Sequence, residues 1–344
     1  MKDIAQDLGV SLMTISKALR GHRDISEATR KRVLQRAAEL DYRPNWVAKC
    51  LVSRRTHIVG LLIPDLMHSF FAEVARGVSR VLDPLMYQLV ISSSDENPDA
   101  ERRQIELLLS RSVDGLIVAS AESDGGKGLF PVLEKRHLPY VLVDRKVAGL
   151  DAHFVGVKDD EIGCLATTHL FDQGCRSIAH IRGPAITTGT GRLRGYRRAL
   201  DQLGLDFREE FVVQGSPTDS VGYEAMQRLL RLPNRPDGVF CYNDPVAVGA
   251  MRAVLEAGLS IPEDIALIGA GNIHYSDLLR VPLSTVDQSS SAIGEKAAKL
   301  LMQCIGSESR IARQQVLLPP KLVVRESTLR KVSSFEAGQR AGGG

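Results

Sequence analysis

Eight short apolar runs alternate with helix-length amphipathic segments between residues 57 and 271, and this alternation narrows the choice of fold most. The first four runs are 57–64, 87–94, 113–120 and 139–144; the second four are 177–183, 211–215, 237–243 and 265–271. Parallel strands covered by helices on both faces have this pattern. Two series therefore predict an α/β body of two doubly wound parallel-sheet lobes, with ligands bound in a cleft at the carboxyl ends of the strands.

Residues 1–57 are helical and basic in character. They hold twelve Lys/Arg against six Asp/Glu, a net charge of +6, whereas the remainder of the chain carries −3. The whole-chain value of +3 hides this asymmetry. A basic head on a mildly acidic body is typical of a nucleic-acid-binding module joined to another domain.

The head has the pattern of an all-α helix-turn-helix. Ala5, Gly9 and Ile15 occupy the small-residue, turn and apolar-anchor positions of that motif. Ser11 and Ser26 are expected to cap the second and third helices. Helical spacing predicts four buried side chains on the third helix, namely Val33, Leu34, Ala37 and Leu40.

The outward face of the second helix carries the candidate DNA contacts. In a helix-turn-helix this face lies in the major groove, where a lysine can donate to guanine and an apolar side chain can meet a thymine methyl group. A solvated helical hairpin is the alternative interpretation of this pattern. The residues predicted to contact DNA from the head are Ser11, Leu12, Met13, Ser16 and Lys17.

A family signature extends this interpretation to the hinge. It is visible in KDIAQDLGVSLMTISKAL, in DISEATRKRVLQRAAELDYRPN and in the hinge segment that ends at Leu51. In these segments the chain resembles the LacI/GalR family of bacterial repressors. The resemblance implies a homodimer whose recognition helices read the half-sites of a pseudo-palindromic operator in double-stranded DNA.

The same resemblance assigns roles in the hinge helix. Asn45, Ala48 and Lys49 match hinge positions that face the minor groove, and Leu51 matches the leucine wedged between central base pairs. Buried linker packing is the alternative for Leu51. Lys17 stands where the family most often has arginine, and Leu12 and Met13 replace polar residues, so the operator sequence of a relative does not carry over.

The body is similar to the family along its whole length. The matching stretches are GLLIPDLMHSFFAEVARG, ERRQIELLLSRSVDGLIVAS, GRLRGYRRAL, CYNDPVAVGAM, VPLSTVDQ and LPPKLVVRES. They imply a fold like that of periplasmic sugar-binding proteins, in which the chain crosses between lobes three times. The resulting domain bounds are a head at 1–43, a hinge at 44–57, a body at 58–330 and a disordered tail at 331–344. Within the body, lobe 1 comprises about 58–158 and 289–318, and lobe 2 comprises about 159–288 and 319–330.

By resemblance, one set of side chains lines the effector cleft. Phe70 and Phe71 match an aromatic step, for which core packing is the alternative, and Arg192 matches an arginine that contacts the effector. Asp159 is a weaker candidate, and Asp65 is equally well a turn residue. The residues predicted to bind the effector are Phe70, Phe71, Arg145, Arg192, Tyr223, Asn243, Asp244, Asn272 and Gln288.

The segment IGAGNIHY departs from the family pattern. Gly271 stands where most members have an aspartate that accepts hydrogen bonds from sugar hydroxyls. Without that usual acid opposite Arg192 and Arg145, an anionic ligand such as a sugar acid or sugar phosphate gains ground beside a neutral sugar. Loss of effector binding is a further alternative.

Other function classes are disfavoured. The segment GPAITTGTGR lacks the Gly-Lys-Ser/Thr ending of a phosphate loop, and His274 replaces the third glycine after Gly269 and Gly271 in a dinucleotide motif. Scattered cysteines and single histidines predict no metal site, cofactor or catalytic group. No apolar run is long enough to span a membrane, and MKDIAQDLGV is unlike a signal peptide.

The sequence therefore predicts a cytoplasmic transcriptional repressor, associated with the nucleoid when bound to DNA. Its operator affinity is expected to be switched by a small molecule, a sugar or sugar derivative, bound between the lobes. A periplasmic-type solute-binding protein without a DNA role is the alternative.

Overall fold

The structure, a computed structural model, describes residues 1–19, 21–42, 55–122, 128–215, 219–307 and 309–330. The described residues divide into two compact units, one within 1–56 and the other within 57–330. The predicted hinge contacts Asn45, Ala48, Lys49 and Leu51 lie outside the described residues, and so does the tail at 331–344. Among the described residues, no helix is long and apolar enough to cross a membrane.

The head contains α1 (Lys2–Leu8), α2 (Leu12–Leu19) and α3 (Glu27–Glu39). Gly9 ends α1 with a φ of 63°, a conformation that glycine adopts without strain. The Ser11 hydroxyl accepts the Thr14 N–H at 3.1 Å, and the Ser26 hydroxyl accepts the Thr29 N–H at 3.2 Å. Both predicted caps are confirmed.

The core of the head is made by residues from all three helices: Ile4, Ile15, Ala18, Val33 and Ala37. The prediction that Leu34 and Leu40 are buried is wrong, because their exposed fractions are 48% and 41%. Val33 and Ala37 lie about one helical turn apart and define the inward face of α3. Leu34 is therefore rotated about 100° away from that face, and Leu40 follows the end of the helix.

Lobe 1 of the body is built on a six-stranded parallel sheet with the order β11-β5-β4-β3-β1-β2. Its strands are β1 (Ile58–Ile63), β2 (Gln88–Ser93), β3 (Gly115–Val118), β4 (Tyr140–Val143), β5 (His153–Val157) and β11 (Gln315–Leu318). Its helices are α4 (Ser69–Leu82), α5 (Pro98–Ser110), α6 (Phe130–Lys135) and α11 (Ser290–Gly306).

Lobe 2 repeats this architecture with the order β12-β10-β9-β8-β6-β7, in which only β12 runs antiparallel to its neighbour. Its strands are β6 (Ile178–Arg182), β7 (Val212–Gln214), β8 (Gly238–Cys241), β9 (Ala266–Gly271), β10 (Ser284–Asp287) and β12 (Lys321–Val323). Its helices are α7 (Asp159–Asp172), α8 (Thr187–Gln202), α9 (Asp219–Leu230) and α10 (Asp244–Glu256).

The predicted α/β class with two parallel-sheet lobes is confirmed. Each of the eight apolar runs contains one strand, and the chain passes from one sheet to the other after β5, after β10 and after β11. The remaining strands β5, β10, β11 and β12 lie outside those runs. The exact domain bounds remain a prediction.

Glycines bring neighbouring helices into backbone contact. A Cβ atom on Gly77 of α4 would lie 2.0 Å from the carbonyl oxygen of Ser291, and one on Gly294 of α11 would lie 2.1 Å from that of Val74. In lobe 2, Gly163 on α7 faces the carbonyl oxygen of Arg192 in the same way, at 2.1 Å. The Gly163 contact holds α8, and with it Arg192, against α7.

Substituting Gly77→Ala is expected to lower the free energy of unfolding of the body by about 1–3 kcal/mol, because the added methyl group forces α4 and α11 apart. Gly306→Ala is the matched control, since a Cβ there meets nothing within 4 Å and alanine favours the helix by up to about 1 kcal/mol. Urea denaturation measures both. Equal midpoints for the two variants would contradict the close helix contact.

Candidate functional site

A cleft lies between the lobes at the carboxyl ends of the strands. Its lining comes from the segments after β1, β2 and β4 in lobe 1 and after β8 and β10 in lobe 2, together with α4 and α8. The lining residues are Asp65, His68, Phe70, Phe71, Glu96, Asp144, Arg145, Arg192, Tyr242, Asn243 and Gln288. Six of the nine predicted effector residues are among them: Phe70, Phe71, Arg145, Arg192, Asn243 and Gln288.

Arg192 is a buried hub of this cleft. Its Nη1 donates to the backbone oxygen of Tyr242 at 2.6 Å and its Nη2 to Oε1 of Gln288 at 2.9 Å. Its Nε donates to Oδ1 of Asp159 at 3.2 Å. Asp159 follows the first crossover between the lobes, and Gln288 follows β10 at the second crossover. The Arg192 side chain is therefore hydrogen-bonded to the first two of the three crossovers.

Arg145, directly after β4, is also paired. Its Nη1 and Nη2 donate to the two carboxylate oxygens of Glu96 at 2.6 and 2.7 Å, and its Nε lies 3.4 Å from Oδ2 of Asp144. The expectation that Arg145 and Arg192 lack an acid opposite them is therefore wrong. Glu96 and Asp159 supply the carboxylates that Gly271 does not.

Burial also shifts the protonation of the cleft. It raises the pKa of Asp159 to about 7, although Arg192 acts in the opposite direction. It raises the pKa of Asp144 as well. Burial lowers the pKa of His68 to about 4, so this imidazole is neutral at neutral pH.

Two hydrogen bonds join the lobes beside the cleft. Asn243 caps α10, since its Oδ1 accepts the Val246 N–H at 2.9 Å, and its Nδ2 lies 3.0 Å from Nε2 of His68 on the other lobe. The Lys146 N–H donates to Oγ1 of Thr187 at 3.1 Å. The rim of the cleft therefore contains contacts that depend on how the lobes are arranged.

The structure places three predicted effector residues away from the lining. Tyr223, on α9, donates its hydroxyl hydrogen to Oε2 of Glu256 at 2.6 Å. Asn272 accepts from Nη2 of Arg325 at 2.8 Å. Asp244 is buried, and its carboxylate is hydrogen-bonded by other groups of lobe 2. It accepts hydrogen bonds from Thr285 Oγ1 at 2.6 Å, from the Ile273 N–H at 3.0 Å and from Ser276 Oγ at 3.1 Å. These side chains stabilise lobe 2 internally.

Sequence reasoning missed His68, Glu96, Asp144 and Tyr242 as lining residues. A positional signal was present for three of them, because Asp144 and Tyr242 directly follow β4 and β8 and Glu96 comes three residues after β2. Side chains at these positions face the carboxyl edge of a parallel sheet. Asp65 is both a turn residue, accepting the Met67 N–H at 2.8 Å, and a lining residue.

The candidate DNA-contacting face of the head has the expected orientation. Ile15 and Ala18 are buried, whereas Met13 is 69% exposed and Leu12 is 45% exposed. Lys17 is not free on this face, because its Nζ lies 2.5 Å from Oδ2 of Asp24 in the connection between α2 and α3. This ion pair was not predicted from the sequence.

Comparison with known proteins agrees with both units. A model of "Bacterial regulatory proteins, lacI family" matches residues 1–45, and a model of the "Periplasmic binding protein-like domain" matches residues 167–328. Catabolite control protein A of Priestia megaterium is 32% identical over 328 residues, which cover 95% of this chain and 98% of the relative.

Two solved structures are similar over nearly the whole chain. The lac repressor dimer bound to operator and the anti-inducer ONPF has a TM-score of 0.84 at 25% identity, covering 95% of this chain and 98% of that one. The complex of the transcriptional regulator CelR with cellobiose has a TM-score of 0.73 at 29% identity, covering 94% and 98%. The chain therefore belongs to the lacI family of bacterial regulatory proteins, as a DNA-binding transcriptional regulator with an effector-binding domain and not as an enzyme.

Proposed function

We propose that this regulator is a homodimeric repressor whose operator affinity is switched by a neutral, polyhydroxylated ligand such as a sugar. The observation that carries the choice of ligand is the pairing of both cleft arginines with carboxylates of the protein. A repressor that acts on operator DNA works in the bacterial cytoplasm, which is the location we propose.

An anionic ligand is disfavoured by the charges of the cleft. An anion that takes the place of Glu96 on Arg145, or of Asp159 on Arg192, leaves that acid without its cation. For Asp159, whose side chain is 13% exposed, loss of the cation costs up to about 3–5 kcal/mol, whereas Glu96, at 36% exposed, loses less. The lining carries the acids Asp65, Glu96 and Asp144 against two arginines, so its formal charge also repels anions.

A neutral sugar suits the same groups. Each hydroxyl group donates one hydrogen bond and accepts others, so it can join a carboxylate or guanidinium without breaking an ion pair. The rings of Phe70 and Phe71 meet edge to face with centroids 5.1 Å apart and supply an apolar wall for the C–H face of a sugar ring. The similarity to the CelR–cellobiose complex supports this ligand class.

Binding would act through the arrangement of the lobes. A ligand between them competes with or reinforces the His68–Asn243 and Lys146–Thr187 contacts, and Arg192 is bonded to the first two of the three crossovers. A ligand shifts such an equilibrium only by its difference in affinity for the two arrangements. The predicted hinge segments of the two protomers, each with Leu51 as the wedge, would then dock on the operator DNA or withdraw from it together.

We expect a neutral sugar to stabilise the protein more than its anionic counterpart. A thermal-shift series compares ribose, glucose and cellobiose with glucose 6-phosphate and gluconate at equal concentrations. A ligand at one hundred times its Kd adds about 2.7 kcal/mol to the stability. Glu96→Gln, which removes the carboxylate from Arg145, should raise the response to the anions. A stronger response of the wild type to an anion would overturn the neutral-ligand proposal.

Arg192→Lys is expected to weaken binding of the responding sugar at least tenfold. Lysine keeps a cation beside Asp159 but loses the planar fork that bonds Tyr242 and Gln288. Arg194→Lys, on an exposed position of the same helix, is the control and should bind as the wild type does. Isothermal titration calorimetry measures both. Unchanged affinity in Arg192→Lys would place the effector site elsewhere.

Lys17→Ala is expected to cost about 1–3 kcal/mol of operator affinity and to lower discrimination against other sequences. The operator is obtained by selecting duplexes from a random-sequence pool with the wild-type chain. Lys31→Ala, on an exposed position of α3, should change the affinity for the operator and the affinity for a scrambled duplex by the same factor. An equal loss on both duplexes for Lys17→Ala would make it a phosphate contact instead.

A further inference from the structure

The acid Asp24 lies beside the lysine that is proposed to read bases. Oδ2 of Asp24 and Nζ of Lys17 are 2.5 Å apart, and both side chains are partly exposed. The hydrogen bond from Lys17 lowers the pKa of the Asp24 carboxyl, so the carboxylate is charged at neutral pH. His22 is a further titratable group near it, with its Nδ1 3.9 Å from Oδ1 of Asp24.

Other hydrogen bonds besides this ion pair hold the connection between α2 and α3. The Arg30 guanidinium already donates to the carbonyl oxygens of Gly21 and His22 at 3.3 and 2.8 Å. Backbone hydrogen bonds from Gly21 to Ala18 and from His22 to Lys17 close the turn. Exposed ion pairs also add little to stability, typically below about 1 kcal/mol.

An acid on a surface that meets DNA has a cost. Cations that neutralise phosphates supply most of the affinity that is independent of sequence. A carboxylate beside Lys17 repels phosphates and cancels one such cation, so a head with a net charge of +6 binds all DNA less tightly than it otherwise would. An acid that lowers affinity for all DNA is useful at this position only if it raises discrimination between DNA sequences.

We propose that Asp24 is a positioning residue that holds the ammonium group of Lys17 for base recognition and withholds it from phosphates. This inference rests on the proposed function of Lys17. The lysine ammonium has three N–H donors, of which Asp24 takes one and leaves the others for a guanine edge. Without Asp24, the flexible four-carbon stem lets the charge reach the nearest phosphate. Asp24 therefore lowers affinity for DNA in general and raises discrimination between sequences.

The test compares binding of the full-length chain to the selected operator and to a scrambled duplex over a series of salt concentrations. Asp24→Asn is expected to bind the scrambled duplex several-fold more tightly, with the slope of log K against log salt steeper by about 1. The ratio of operator to scrambled affinity should fall about tenfold. Asp24→Glu, which keeps the carboxylate, should recover part of that ratio.

Glu27→Gln is the matched control for charge alone. Its carboxylate is 93% exposed and its ion pair with Arg30 is loose, at 3.9 Å. Removing this charge from the same head should raise the affinity for both duplexes by a similar small factor and leave the ratio of the two affinities unchanged. Circular dichroism and the thermal midpoint verify that each variant is folded.

A double-mutant cycle separates the possible outcomes. If Asp24 acts through Lys17, Asp24→Asn lowers the ratio in the wild-type background and has no further effect on it in the Lys17→Ala background. An unchanged ratio in Asp24→Asn, or the same fall in both backgrounds, would overturn the positioning role while leaving Lys17 as the base contact. An unchanged ratio in Lys17→Ala would instead refute the proposed function of Lys17 and this inference with it.

Discussion

The buried guanidinium of Arg192 is the interaction on which the organisation of the body depends. A charge taken out of water must be surrounded by partners, and these partners come from three places: Asp159 at the start of lobe 2, Tyr242 after β8, and Gln288 at the return to lobe 1. The need to satisfy one side chain thus gathers two crossovers and a strand end at the cleft. Any ligand that contacts Arg192 acts on the connections between the lobes.

The same electrostatic rule applies to the cations proposed to bind ligands in the two units. Arg145 and Arg192 in the body and Lys17 in the head each have a carboxylate within hydrogen-bonding distance. A paired cation is fixed in position, and it interacts weakly with anions that offer charge alone. Under the proposed functions, pairing would exchange general affinity for selectivity, in the body against anionic small molecules and in the head against DNA of the wrong sequence.

The sequence revealed most of the fold because buried parallel strands must be apolar on both faces. It did not reveal four strands. The edge strands β11 and β12 have exposed residues, β5 has the run HFVGV with a histidine and a glycine, and β10 has the run STVD with a single apolar residue. Leu34 was misjudged because helical spacing gives a periodicity and not its phase against the neighbouring helices. The partners Glu96 and Arg145 are 49 positions apart, and no local pattern links such residues. Arg192 was found because its motif is local.

The backbone at Gly271 disfavours an acid there, because its φ of 141° is a conformation that side chains rarely adopt. An aspartate at 271 would therefore be strained, so lobe 2 offers no simple place for it. The acids that line the cleft, Asp65, Glu96 and Asp144, belong to segments that follow strands of lobe 1, whereas Arg192 belongs to lobe 2. The proposed polyhydroxylated ligand would bridge these opposite charges across the cleft, which would couple its binding to the arrangement of the lobes.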